Sequence, residues 1–311
     1  MKNYDAKLLE LTTRDRVDMA NYTEITEGRA TPNGGIYLDI SHQSKEFIIQ
    51  KLPRMYRQFL DTLMIDISTT PMEVSPTAHY SMGGIVVDPD DHTTNIQGLY
   101  AAGEVTGGLH GANRLGGNSL AEILIFGKRA GKAAATRSID MDVQYRSRQV
   151  IEKAHEKIDA FIKNGSEVAR PLQRELRNIM WEYCGVVRSE DKLQNGLMKI
   201  NKLKESLKNL DVRPGSEGFE DLMLAFDLEG SIMSAEATIL GGIARKESRG
   251  AHQRSDFTET SIAYDANFKI KLHDNTTLKV LKENLKPLSK ELDSIVNSTK
   301  QITDFEGMLL E

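Results

Sequence analysis

The feature that most constrains this chain is a glycine-dense run, Gly98-Leu-Tyr-Ala-Ala-Gly-Glu104-Val-Thr-Gly-Gly-Leu-His110-Gly-Ala-Asn-Arg114-Leu-Gly-Gly-Asn118-Ser119-Leu120. It lies between an apolar segment at 99–102 and a helical pattern over 121–137, so a strand, a loop and a helix follow one another. Asn118 or Ser119 is suited to cap that helix, because a short polar side chain accepts from the unpaired amides of the first turn. Those amides and the helix dipole favour partial negative charge at the helix start. Glycines at 107, 108, 111, 116 and 117 let backbone approach a flat ligand closely.

The glycines alone fit a turn in any α/β protein. Arg114 and His110 change that weighing, since a glycine-framed guanidinium presents a fixed fork of donors to a carboxylate. The electron-rich carbonyl edge of a reduced flavin ring could sit at the helix start. A lone histidine is more often a structural hydrogen-bond donor, and His42, His92, His155 and His273 are read that way.

Elsewhere, residues 1–20 read as helical and 35–40 as a short strand. Apolar residues fall at helical spacing over 46–64. Short strands are expected at 84–87 and 99–102. Amphipathic helices over about 142–163, 168–183, 190–208 and 216–245 follow, punctuated by Gly185 and Pro214-Gly215, and suggest a helical bundle. Residues 266–281 alternate in polarity around Asp274-Asn275, which reads as a terminal β-hairpin.

A net charge of −5 argues against general nucleic-acid binding. The one cysteine, Cys184, allows no intrachain disulfide and no cysteine metal cluster, which fits a reducing, cytoplasmic setting. No apolar run approaches the roughly 18 residues of a spanning helix, so any membrane association would be peripheral, on the inner face and through partner subunits.

The run His79-Tyr80-Ser-Met82-Gly-Gly-Ile85, with Gly103-Glu104 and His110-Gly-Ala-Asn-Arg-Leu-Gly-Gly-Asn-Ser-Leu120, resembles the flavoprotein subunit of succinate dehydrogenases and fumarate reductases. L-aspartate oxidase is a close relative of that family. Arg14-Asp15 and Arg245-Lys-Glu-Ser-Arg-Gly-Ala-His252-Gln-Arg254-Ser-Asp-Phe257 resemble two further family signatures. The resemblance implies FAD as cofactor and a small dicarboxylate, succinate or fumarate, as substrate. His79 and Arg114 would hold its carboxylates, and Arg14 would shuttle the proton. Glu104 would contact the flavin's sugar-like chain, and Asn118, Ser119 and Leu120 would meet the flavin at the helix start. For the segment from Glu247 to His252, a helix end closed by Gly250 and a direct role both stay open. Arg249 and His252 could brace the site across the domain interface without touching substrate. An iron–sulfur subunit would exchange the electrons.

The fold expected is the α/β portion of an FAD-binding domain followed by an α-helical C-terminal domain with a terminal β-hairpin. Its divisions are 1–140 for the FAD-binding and capping region, 141–255 for the helical domain and 256–311 for the tail. The family's G-x-G-x-x-G loop, which receives the FAD pyrophosphate, occurs nowhere in the chain, and most of the mobile capping domain is lacking too. The resemblance therefore implies a chain that needs an N-terminal half and is inactive by itself. Two other readings stay open: an L-aspartate oxidase, and a non-catalytic fragment or assembly subunit.

Overall fold

The computed structural model describes residues 1–300 except 13, 163, 214, 216–218 and 275–276, with the backbone alone for 297–300. Pro214, Asn275, the opening of the helix expected from 216 and the last residues of the chain lie outside the described residues.

The expected helix over 1–20 begins only at Arg14, as α1 (Arg14–Glu24). Before it, the Asp5 carboxylate accepts from the amides of Lys7 and Leu8, at 3.1 and 2.9 Å, and turns the chain. Short acidic side chains compete with helical hydrogen bonding in this way. The strand expected at 35–40 is β1 (Ile36–Leu38), antiparallel to β2 (Met72–Val74).

Between these strands, the apolar spacing over 46–64 forms two helices, not one: α2 (Lys45–Lys51) and α3 (Pro53–Leu63). The break falls at Leu52, whose φ of −129° and ψ of 48° are non-helical. Pro53 explains it, because its ring disfavours helical geometry in the preceding residue and it has no amide to donate. At the first position of α3 that missing donor costs nothing. Ile48, Tyr56, Ile67 and Met72 form a small core beneath these helices.

The strands expected at 84–87 and 99–102 are reduced to single bridges, Ile85 with Thr106 and Thr93 with Tyr100. Asp88 accepts from the Asp90 amide and folds the chain back just after 87. Gly98 and Gly103, both at positive φ, bracket the second segment. Neither segment can extend a ladder among the described residues. The long helix α4 (Asn118–Ile139) follows the glycine loop.

The helical domain consists of α5 (Arg148–Phe161), α6 (Ala169–Cys184), α7 (Glu190–Ser206) and α8 (Glu220–Ala244). Leu172, Leu176, Leu193, Ile200, Leu228, Ile232 and Ile239 form the main core where α6, α7 and α8 meet. Each such side chain contributes about 1.5–3 kcal/mol by burial. Gly196 lets α6 and α7 approach, since a Cβ there would lie 2.8 Å from Tyr183 Cβ. A two-residue parallel pairing joins β3 (Val187–Arg188) to β4 (Gln253–Arg254). The expected hairpin is present as β5 (Ala266–Leu272) and β6 (Leu278–Asn284). It is not terminal, because α9 (Lys290–Lys300) follows.

Candidate functional site

Two segments of the glycine-rich region are zipped together. The Ile85 amide donates to the Val105 carbonyl at 2.8 Å, and the Gly107 amide to the Ile85 carbonyl at 3.1 Å. Glycine is required at this junction: a Cβ on Gly84 would lie 2.2 Å from the Val105 oxygen. Glu104 joins the same junction, its carboxylate accepting from the Ser81 amide at 2.9 Å. The side chain expected to face a sugar-like chain is thus fixed beside the His79-Tyr80 segment.

Arg114 stands with its guanidinium carbon 4.6 Å from the centre of the Tyr80 ring. Nη1 donates to the Leu115 carbonyl at 3.1 Å, and Nε is buried with no partner. Stacking on an aromatic face orients a guanidinium while leaving its edge to meet an anion. His79, one residue before Tyr80, is exposed, and no hydrogen bond or ion pair joins it to Arg114 among the described residues.

Sequence reasoning missed what holds Tyr80. Its hydroxyl donates to Glu122 Oε2, and His110 Nε2 lies 2.9 Å from the same oxygen. The Glu122 side chain is 1 % exposed. Burial pushes its carboxyl up, but the hydrogen bonds from Tyr80 and His110 outweigh this and leave it lowered. Burial and the bond to Glu122 push the Tyr80 phenol up to about 12. Glu122 is therefore a buried carboxylate and Tyr80 a neutral donor at ordinary pH. Glu122 lies 42 residues from Tyr80 on a helix where a glutamate reads as surface charge.

The expectation that Asn118 or Ser119 caps α4 is corrected. Gly117, at φ 82°, occupies the cap position and no side chain caps the helix. That positive φ turns the chain into helix at Asn118, which puts Asn118 and Ser119 inside the first turn. Only glycine takes such a φ at little cost. The first turn holds no acidic residue, and Leu120 is 66 % exposed. A Cβ added at Gly108, Gly111, Gly116 or Gly117 would meet nothing within 4 Å. An uncapped helix start framed by open glycines fits the electron-rich edge of a flat ring.

Arg14 is exposed at the start of α1, one turn before Asp18. Its helix rests on the helical domain, with Tyr22 edge-on to Trp181 at 5.9 Å and Lys192 Nζ 3.4 Å from the Tyr22 hydroxyl. Arg14 is thus borne by the helical domain and Arg114 by the glycine loop. No hydrogen bond or ion pair joins Arg14 to Arg114 or His79 among the described residues.

A frame of buried charge braces the loop. Glu247 is fully buried, ion-paired with Arg245 and Arg249, and accepts from the Ser261 amide at 2.8 Å. Arg254, also buried, pairs with Asp256 at 2.7 Å and Glu190 at 3.0 Å. His252 Nε2 donates to the Arg245 carbonyl and Nδ1 accepts from Arg188, each at 3.0 Å. Burial and the Arg188 charge push this imidazole down to about 4. The frame delivers one amide to the loop, Ala251 N–H to the Ala112 carbonyl. Arg249 and His252 are both part of it.

His92 is structural: Nδ1 donates to the Ala101 carbonyl at 2.9 Å and the ring lies against Phe126. Cys184 is buried, and burial raises its thiol. No cluster suited to a metal ion occurs among the described residues, and no helix there is long and apolar enough to cross a membrane.

Residues 2–120 match the FAD binding domain family, and residues 173–295 match the fumarate reductase flavoprotein C-terminal family. The fumarate reductase (CoM/CoB) of Methanothermobacter marburgensis has a subunit that is 44 % identical over 261 residues, covering 84 % of this chain and 47 % of that protein. The fumarate reductase flavoprotein subunit of Escherichia coli is 35 % identical over 261 residues, covering 80 % and 43 %. The solved structure of Mycobacterium smegmatis Sdh1 in complex with UQ1 superimposes with a TM-score of 0.83 at 34 % identity, covering 94 % of this chain and 50 % of that one. The chain spans about half the length of the curated relatives it matches.

Proposed function

Because the chain belongs to the succinate dehydrogenase/fumarate reductase flavoprotein family, whose cofactor is FAD, we propose that it carries the substrate-clamping part of a site that interconverts succinate and fumarate. The observation that carries this reading is Arg114, stacked on Tyr80 beside an uncapped, glycine-framed helix start.

FAD, when bound, supplies the hydride chemistry. The Arg114 fork holds one substrate carboxylate and His79 helps to hold the carboxylates in place. Their positive field draws electron density from the alkene in the reductive direction. Arg14 gives or takes the proton at the neighbouring carbon. Arginine ordinarily keeps its proton to about pH 12 and above, so this step needs a dry site of positive charge. Glu104 would contact the flavin's sugar-like chain, and the backbone at Asn118, Ser119 and Leu120 would meet the ring edge. An iron–sulfur subunit would exchange electrons with the flavin, and such partners would hold the protein at the inner face of a membrane. The FAD pyrophosphate would be held by polypeptide that corresponds to the unmatched half of the relatives.

Flavin absorbance tests this reading. The chain expressed with such a polypeptide is expected to purify with FAD, and fumarate is expected to perturb its spectrum. Absence of flavin with and without that polypeptide would overturn the reading and favour a non-catalytic assembly role.

A further inference from the structure

The chemistry above makes no use of Glu122, yet this buried carboxylate receives hydrogen bonds from two segments that reach the Arg114 loop. No carboxylate among the described residues pairs with Arg114. Its charge is therefore left for an incoming anion, and a neutral group must set its direction. The Tyr80 ring is that group, 4.6 Å from the guanidinium carbon.

A tyrosine ring on a short extended segment is a poor anchor unless its far end is tied. The Tyr80 hydroxyl is tied to Glu122, one turn into α4. His110, four residues before Arg114, reaches the same oxygen at 2.9 Å and meets the Tyr80 ring edge-on at 5.3 Å.

We propose that Tyr80 and Glu122 are positioning residues for Arg114: the Glu122 carboxylate fixes the Tyr80 ring, and the ring aims the guanidinium fork at the substrate carboxylate. The inference rests on the reading of Arg114 as a carboxylate clamp. Leaving a buried carboxylate in a site that must attract an anion makes sense on this account, since the carboxylate is screened behind the ring and has two donors of its own.

The test is fumarate titration of the flavin-loaded protein that carries this chain, followed by calorimetry, with kcat and KM measured alongside. Tyr80→Phe keeps the ring and loses its tie; Tyr80→Leu loses both. Fumarate is expected to bind several-fold more weakly to the first and on the order of tenfold or more to the second. Glu122→Gln, whose amide oxygen still accepts, is expected to retain most of the affinity that Glu122→Leu loses. In an Arg114→Lys background, Tyr80→Phe is expected to add little further loss, because the stacked guanidinium is gone. Wild-type affinity in a folded Tyr80→Leu protein, with binding lost in Arg114→Ala, would overturn the positioning role and leave the clamp standing. Unchanged binding in Arg114→Ala would instead overturn the clamp itself. Tyr80→Phe, the gentlest of these changes, keeps the test decisive if the leucine variants do not fold.

Discussion

The amide of Ala251 donates to the carbonyl of Ala112 at 3.0 Å, so the loop that bears Arg114 is tied to the C-terminal signature segment. Gly250 makes this contact possible. It takes a φ of +58°, and a Cβ there would lie 2.2 Å from the Ala112 oxygen. Gly250→Ala is expected to cost about 1–3 kcal/mol, visible in thermal melting, and to weaken fumarate binding by displacing the loop. A variant that melts and binds like the wild type would show that the tie is not needed.

Glu247 is the centre of the frame behind that contact. Removing one partner of a buried ion pair strands the other charges, at a cost of about 3–5 kcal/mol. Urea unfolding of Glu247→Ala is expected to show a loss of this size, against a small effect for the exposed i,i+4 pair partner in Glu152→Ala. Equal losses at the two positions would contradict the assignment of Glu247 as a buried anchor.

His252 gives the frame a pH dependence. Its imidazole is held neutral down to about 4 in the folded protein, against an ordinary value of 6.5. As pH falls below 6.5 the unfolded chain takes up the proton first, so stability is full above that pH and is lost progressively towards pH 4. The loss is about 2 kcal/mol once solvent screening of a partly buried ring is allowed for. Glu247 and Asp256 are held below their ordinary carboxylate range, so their stabilising share is present above that range and is lost only at lower pH. Melting temperatures at pH 7 and pH 5 should therefore converge in His252→Gln; a drop as large as that of the wild type would contradict this role.

The parts of the fold legible in the sequence are those where one period dominates. The alternation over 266–281 gave the hairpin, and the apolar spacing of α6, α7 and α8 gave the bundle, because burial of one face is a local pattern. The break before Pro53 was also present in the sequence, but the apolar spacing on either side outweighed it. The segments at 84–87 and 99–102 have strand composition without a ladder of partners, and composition alone does not supply partners. Near the site, the helix start at Asn118 was legible because glycine marks special backbone. Tyr80, Glu122 and the Ala251 tie were not, because each is a long-range meeting of residues that are ordinary in their local setting.

The most direct test of the central claim is fumarate-dependent oxidation of a reduced viologen dye by the flavin-loaded protein, wild type against Arg114→Ala. Removing a preorganised charge at a developing negative centre costs on the order of a hundredfold or more in rate. The account predicts fumarate-dependent turnover in the wild type and a loss of at least that size in Arg114→Ala, with flavin still bound. Undiminished turnover in a flavin-loaded Arg114→Ala protein, or turnover of aspartate in place of fumarate by the wild type, would contradict it.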